Sequence, residues 1–278
     1  MPATATRHRH SRAMGASASS PQENPTRCST NNLHPSSGDF AFRAQQAPLS
    51  LPADTKKRVI GVLGGSFDPI TDGHLKCACE IVHAGVADEV WLVPCGVRPD
   101  KPSLLTPYLH RLIMCHLAIN TSFGSSFPIR ACDIEMGEEM ALSTYHLMKR
   151  LKEQYPGPEF KFVLGGDLIA GPGSLRTWDA PGVPDAGERL YKESKFILLD
   201  RAGFAVPPDL PPNFTRLKAR EGTNMVTEDV SSSEIRRRMN IGKEDLTGLT
   251  QGNYQMVDGL LSPPVLAHII RYKLYITR

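Results

Sequence analysis

The 278 residues contain no apolar run long enough to cross a membrane and no continuous apolar core of the secretory type, so membrane-spanning functions are set aside. Cysteine is sparse and scattered. Cys28, Cys77, Cys79, Cys95, Cys115 and Cys132 form no zinc knuckle, because Cys77-x-Cys79 sends its thiols to diverging faces of a helix. Reduced, buried thiols of a cytosolic protein are expected. Acids are missing before Glu23, where Arg7, Arg9 and Arg12 stand among Ser and Ala. That composition overlaps organellar transit peptides, but it lacks clear amphipathic periodicity, and a solvated disordered extension is the plainer expectation. Two glycine signatures are absent as well. No Lys-Ser/Thr pair completes a P-loop, and Gly61-x-x-Gly64-Gly65 has the wrong spacing for a dinucleotide fingerprint. The next strand, Glu89 to Val93, runs into Pro94-Cys95 instead of an acid, which argues against a dehydrogenase.

Positive charge on the body is also wanting. Residues 1–58 carry eight Lys/Arg against three Asp/Glu, whereas residues 59–278 carry 24 against 26, so the overall +3 is a property of the tail. A duplex-binding domain would need its cationic stripe on the folded surface, and no nucleic-acid or membrane partner is expected. The first 58 residues are too poor in aliphatic runs to bury a core, which predicts a disordered basic extension over 1–58 and a folded domain over 59–278. The expected compartment is cytoplasmic, with a nuclear or organellar destination left open by the tail. Oligomeric state is open too, a homo-oligomer included.

From Val59 onward apolar strands alternate with amphipathic helices. Strands are predicted at 59–64, 89–94, 127–135, 160–165 and 195–200, and helices at 74–84, 107–120, 143–154, 232–239 and 263–272. Gly171 to Gly187 and Val206 to Pro212 read as long loops. This rhythm predicts an α/β fold with a doubly wound parallel sheet. Ligands in such sheets bind beyond the carboxyl ends of strands, and Gly64, Pro94-Cys95-Gly96 and Gly165-Gly166-Asp167 all fall at such ends.

Gly64-Gly65-Ser66-Phe67-Asp68-Pro69-Ile70-Thr71-Asp72-Gly73-His74 joins a buried strand to a helix. Glycines allow close backbone approach, the helix start offers unpaired N–H groups, and His74 in the first turn adds a charge-assisted donor. Such a turn suits phosphate. A second candidate is Ser231-Ser232-Ser233-Glu234-Ile235-Arg236, which reads both as a capping box of Ser231 with Glu234 and as a hydroxyl-lined phosphate site with Arg236. Together the two could hold the α-phosphate and the β- and γ-phosphates separately.

The first stretch resembles the (H/T)xGH signature of the nucleotidylyltransferase superfamily, and Val230 to Arg236 resembles its I-S-S-T-x-I-R motif with Val230 for Ile and Ser233 for Thr. Within that superfamily the chain resembles the nicotinamide/nicotinate mononucleotide adenylyltransferases from about Val59 to Tyr275. Supporting motifs are Trp91-Leu92-Val93-Pro94, Arg98-Pro99-Asp100-Lys101-Pro102, Arg111-Leu112-Ile113-Met114, Gly165-Gly166-Asp167-Leu168, Leu175-Arg176-Thr177-Trp178, Arg201-Ala202-Gly203 and Leu261-Ser262-Pro263-Pro264-Val265. The resemblance implies a Rossmann-like nucleotidylyltransferase fold and adenylyl transfer from ATP to either mononucleotide. It implies His74, Arg236 and Lys101 as catalytic residues. ATP would meet Gly64, Gly65, Ser66, Phe67, Thr71, His74, Gly165, Asp167, Ser232, Ser233 and Arg236. The mononucleotide would meet Ser66, Phe67, Lys101, Thr144, Trp178 and Arg201, although Ser143-Thr144-Tyr145 replaces the family's Ser-Tyr-Thr. Mg²⁺ would arrive with ATP, without direct protein ligands, and Asp167 would orient magnesium-bound water.

Several of these residues have plainer readings. A lone tryptophan is ordinarily a core or loop anchor, though the family residue matching Trp178 stacks on the pyridine ring. Asp167 also reads as the N-cap of a turn. Lys101 and Arg111 also read as solvated charges flanking a helix, and Arg237 and Arg238 as a solvated helix face. Pantetheine-phosphate adenylyltransferase shares S-F-D-P-x-T-x-G-H, but those chains are shorter and lack the Trp178 loop, the Arg201 element and Leu261 to Val265. A non-catalytic nucleotide-binding or chaperone-like protein on this fold is the other rival, and intact Thr71, His74, Ser232 and Arg236 argue against it.

Overall fold

The computed structural model describes residues 56–170, 173–199, 207, 209–217, 231–240 and 254–275, all within the compact unit Ala53–Arg278. Among them six parallel strands form one sheet: β1 (Val59–Gly65), β2 (Glu89–Pro94), β3 (Ile129–Ala131), β4 (Glu159–Gly165), β5 (Lys195–Leu199) and β6 (Phe214–Leu217). Their spatial order is β3-β2-β1-β4-β5-β6. The chain therefore winds outward from β1 through β2 to β3, then returns to place β4 on the other side of β1. Connections leaving β1 and β4 diverge there, which opens a crevice at the carboxyl ends of these two strands.

Alternate strand residues feed two cores. Val90, Leu92, Val163, Ile197 and Leu217 pack under α1 (Asp72–His83), α2 (Tyr108–Ser122), α6 (Ser232–Met239) and α7 (Pro263–Tyr272). Ile60, Val62, Phe162, Phe196 and Phe214 pack on the opposite face under α3 (Thr144–Gln154) and α5 (Ala186–Glu193). Each helix presents a helically spaced apolar stripe to its core, such as Leu75, Ala78 and Ile81 on α1 or Leu147, Met148 and Leu151 on α3. Fully burying side chains like Ile81 or Leu151 contributes about 1.5–3 kcal/mol each. Helix α1 stops where Gly85 takes a left-handed backbone, φ +67°, which a glycine adopts without steric penalty.

The predicted strand over 127–135 is too long. Pairing with β2 ends at Ala131, and the chain then turns through Ile134 to Gly137, although Cys132 and Ile134 remain buried. Apolar alternation continues past the ladder because these side chains fill the core from a turn. Likewise, Gly171 to Gly187 is not uninterrupted loop. It contains a 3₁₀ turn at Leu175–Thr177 and the start of α5, whose Leu190 is buried. Helix α5 and strand β6 go beyond the predicted elements. The former starts behind Gly- and Pro-rich chain, and the latter has only four residues. A short helix α4 (Asp167–Ala170) follows β4 directly. No helix among the described residues is long and apolar enough to cross a membrane.

Candidate active site

The Gly64 turn rises from β1 at the centre of the sheet, and Gly65 lies level with Pro94 of β2. Phe67 holds φ 45°, an uncommon backbone region for a bulky residue. Its ring is 1 % exposed and meets the His74 imidazole edge-on at 5.1 Å between ring centres. Burial of the ring holds the strained backbone in place. Any ligand contact at Phe67 would thus come from its backbone.

Arg111 corrects the expectation of a solvated charge. It is 1 % exposed and donates from Nη1 to the Ser66 carbonyl at 2.8 Å and from Nε to the Thr106 carbonyl at 3.1 Å. A buried guanidinium is costly unless its donors are satisfied, so these carbonyls fix both the arginine and the turn. Lys101 is drawn to the same turn, where its Nζ donates to Ser66 Oγ at 3.0 Å.

His74 sits in the first turn of α1 behind Thr71. The Thr71 N–H donates to His74 Nδ1 at 3.1 Å, and Thr71 Oγ1 lies 2.8 Å from the same nitrogen. Because Nδ1 accepts, the ring proton resides on Nε2. Burial lowers the imidazole pKa to about 4, so the free protein presents a neutral N–H donor instead of the expected charge-assisted one. Between that value and the ordinary 6.5 the unfolded chain binds a proton that the folded chain does not, so stability rises with pH across this window and is lost on acidification. The melting temperature of the unliganded protein should accordingly fall between about pH 7 and pH 4.5, and less steeply for His74→Ala than for wild type. Equal slopes in the two proteins would rule out a buried neutral His74.

Helix α6 docks on the carbonyls of the same turn. Ser232 Oγ donates to the Pro69 carbonyl at 2.8 Å, and Arg236 Nη1 donates to the Asp68 carbonyl. The Asp68 carboxylate, 2 % exposed, lies 3.9 Å from the Arg236 guanidinium, and Arg236 Nη2 donates to Ser233 Oγ at 3.1 Å. The helix start is half of the expected capping box. Ser231 Oγ accepts from the Glu234 N–H at 3.1 Å, while the Glu234 carboxylate is taken by Arg237 and Arg238, whose hydrogen bonds hold its pKa down at about 2. Arg237 and Arg238 are therefore ion-paired as well as outward-facing.

Beside the turn opens a cavity of about 720 Å³. Gly64, Gly65 and Cys95 line one part, and Ala141, Leu142, Thr144, Trp178 and Glu135 line another. Trp178 is anchored through Nε1 to the Gly173 carbonyl at 3.0 Å and stands edge-on to Phe162, which leaves its ring at the cavity wall. Thr144 reaches this wall as the first residue of α3. Gly165 and Asp167 lie at the end of β4, and Gly165 leaves room for the Asp167 carboxylate, which a Cβ there would meet at 2.4 Å. No three His, Cys, Asp or Glu side chains gather as an ion cage among the described residues, and Asp167 opens α4 directly after the carboxyl end of β4. Asp167 supplies one hard carboxylate donor there, the type of ligand that Mg²⁺ takes. Arg201 lies outside the described residues. Among the described residues no cysteine forms a disulfide: Cys77, Cys115 and Cys132 are buried, while Cys79 and Cys95 are partly exposed.

Glu135 was not among the sequence candidates, yet it is 3 % exposed at the cavity and accepts two backbone N–H groups. Its signal was a carboxylate placed where apolar alternation continues through Cys132 and Ile134.

Two helix starts that meet on one turn at the switch point of a parallel sheet form an arrangement able to receive the phosphates of a nucleotide. Residues 62–238 match the family model described as cytidylyltransferase-like. A probable nicotinate-nucleotide adenylyltransferase of Bacillus mycoides is 40 % identical over 182 residues, 65 % of this chain and 85 % of that protein. One from Halalkalibacterium halodurans is 35 % identical over 185 residues, 66 % of this chain and 81 % of that protein. Among solved structures, the nicotinic acid mononucleotide adenylyltransferase of Plasmodium falciparum, complexed with NaAD, aligns with a TM-score of 0.61 at 30 % identity, covering 78 % of this chain and 97 % of that one. The chain belongs to the nicotinate-nucleotide adenylyltransferases of the cytidylyltransferase-like family.

Proposed function

We propose that the protein transfers the adenylyl group of ATP to nicotinate mononucleotide, nicotinamide mononucleotide or both, releasing pyrophosphate. The observation that carries this reading is the docking of Ser232 and Arg236 onto the carbonyls of the turn that positions His74, next to a separate cavity walled by Trp178. Triphosphate and mononucleotide thereby have distinct places around one turn.

The 5′-phosphate oxygen of the mononucleotide attacks the α-phosphorus. A new P–O bond forms as the bond to the α,β-bridging oxygen breaks, and the electron pair leaves with pyrophosphate. The attacking phosphate is already anionic, so no general base is needed and the protein's work is positioning and charge stabilisation. His74 Nε2–H donates to the α-phosphate as negative charge grows, with Thr71 fixing the ring's tautomer. Arg236, Ser232, Ser233 and the amides from Gly64 onward hold the departing phosphates. Lys101 and Ser66 meet the mononucleotide phosphate, and Thr144 and Trp178 receive its ring. Mg²⁺ arriving with ATP would supply further charge neutralisation, and Asp167 would be the residue that orients its water.

Incubating the protein with ATP, Mg²⁺ and each mononucleotide in turn should yield a dinucleotide and pyrophosphate, resolved by chromatography. Adenylylation of 4′-phosphopantetheine, or no product with any acceptor, would overturn the proposal.

A further inference from the structure

Glu135 takes no part in the transfer step, yet its carboxylate stands where the two irregular segments walling the mononucleotide cavity meet. Its Oε2 accepts from the Gly96 N–H at 2.8 Å and from the Leu142 N–H at 3.1 Å. Between these bonds the segments touch directly. The Ala141 N–H donates to the Val97 carbonyl at 2.8 Å, and a Cβ on Gly96 would stand 3.1 Å from Ala141 Cα. One oxygen thus crosslinks the loop after β2 to the loop before α3. Neither segment belongs to a ladder or helix that would otherwise pair these amides, and a buried unpaired N–H is costly. Burial raises the Glu135 pKa, while the two amides and the charges of Arg111 and Arg150 act the other way. By contrast, the residues assigned to the triphosphate and its ion sit on α1, α6, the Gly64 turn and the end of β4 with α4, and none of them is a partner in these bonds.

We infer that Glu135 is the positioning residue that sets the spacing of the cavity walls, and hence the affinity for the mononucleotide independently of that for ATP. This rests on the transfer reaction proposed above. Glu135→Gln keeps one oxygen for the two amides but loses the carboxylate charge that strengthens both bonds, whereas Glu135→Ala leaves both N–H groups without their acceptor. The mononucleotide KM should rise on the order of tenfold in Glu135→Gln and on the order of a hundredfold in Glu135→Ala, as displaced positioning groups do. KM for ATP and kcat should stay within about twofold, because the triphosphate contacts are untouched. Gly96→Ala, which forces the same walls apart without removing the carboxylate, should show the same split and keeps the test open if Glu135→Ala fails to fold. Equal rises in both KM values, a fall confined to kcat, or wild-type KM values throughout would overturn the inference, since a merely structural glutamate would not separate the substrates. Failure of the underlying reaction would show differently, as no turnover by the wild-type protein with either mononucleotide.

Discussion

His74→Ala is expected to lower kcat by about 10²–10³-fold, the usual loss when one preorganised donor to a developing oxyanion is removed. Thr71 engages Nδ1 from its backbone N–H and its hydroxyl, so Nε2–H is the only ring hydrogen bond left to offer substrate. The edge contact with Phe67 restricts ring rotation, and Phe67 is itself locked by burial. A donor fixed in this way need not reorganise as charge moves onto the α-phosphate, which favours the transition state over the ground state. Both KM values should therefore change little beside kcat. Truncation also leaves the Thr71 N–H unpaired at the helix start, a loss of about 1 kcal/mol that a domain of this size tolerates. Steady-state assays of pyrophosphate release, run beside thermal melts, check the expectation. A folded variant turning over at near the wild-type rate would remove His74 from the chemistry.

The strand-to-helix turn at Gly64–His74 and the helix start at Ser231–Arg236 were legible because each is local. Eleven consecutive residues carry strand end, turn, cap and histidine, and six more carry hydroxyls, cap and arginine. The parallel sheet was legible for a related reason, since strands buried on both faces read as apolar runs. What escaped depends on partners far apart in the chain. Glu135 is understood only through Gly96, 39 positions earlier, and Arg111 only through Ser66, 45 positions earlier. Propensity assigns such charges to solvent because burying them is unfavourable until specific acceptors or donors come into reach, and those are supplied by the fold. His74 shows the same limit in milder form. Its place at a helix start was readable, but its neutrality follows from burial, which no spacing encodes. The end of β3 was misplaced because Ile134 is buried from a turn, where hydrophobic alternation and strand pairing part company.

Arg236 should have the largest effect on ATP. Its guanidinium links three things: the Asp68 carbonyl, the buried Asp68 carboxylate 3.9 Å away and Ser233 Oγ. Arg236→Ala removes the α6 charge assigned to the departing phosphates and strips the nearby cation from a carboxylate that is 2 % exposed. The second loss alone destabilises, on the scale of about 3–5 kcal/mol for a broken buried pair, so the alanine variant confounds folding with catalysis. Arg236→Lys separates them. Lysine keeps a charge near Asp68 but cannot span a carbonyl and a phosphate with one rigid fork. For this variant kcat/KM for ATP should fall by roughly 10²-fold, with the melting temperature lowered only modestly and the mononucleotide KM little changed. In the reverse direction the KM for pyrophosphate should rise as well, because the same group meets the β- and γ-phosphates whichever way the reaction runs. Unchanged ATP and pyrophosphate kinetics in a folded Arg236→Lys protein would mean that Arg236 serves only to dock α6 on the Asp68–Pro69 turn, and that the triphosphate is held elsewhere.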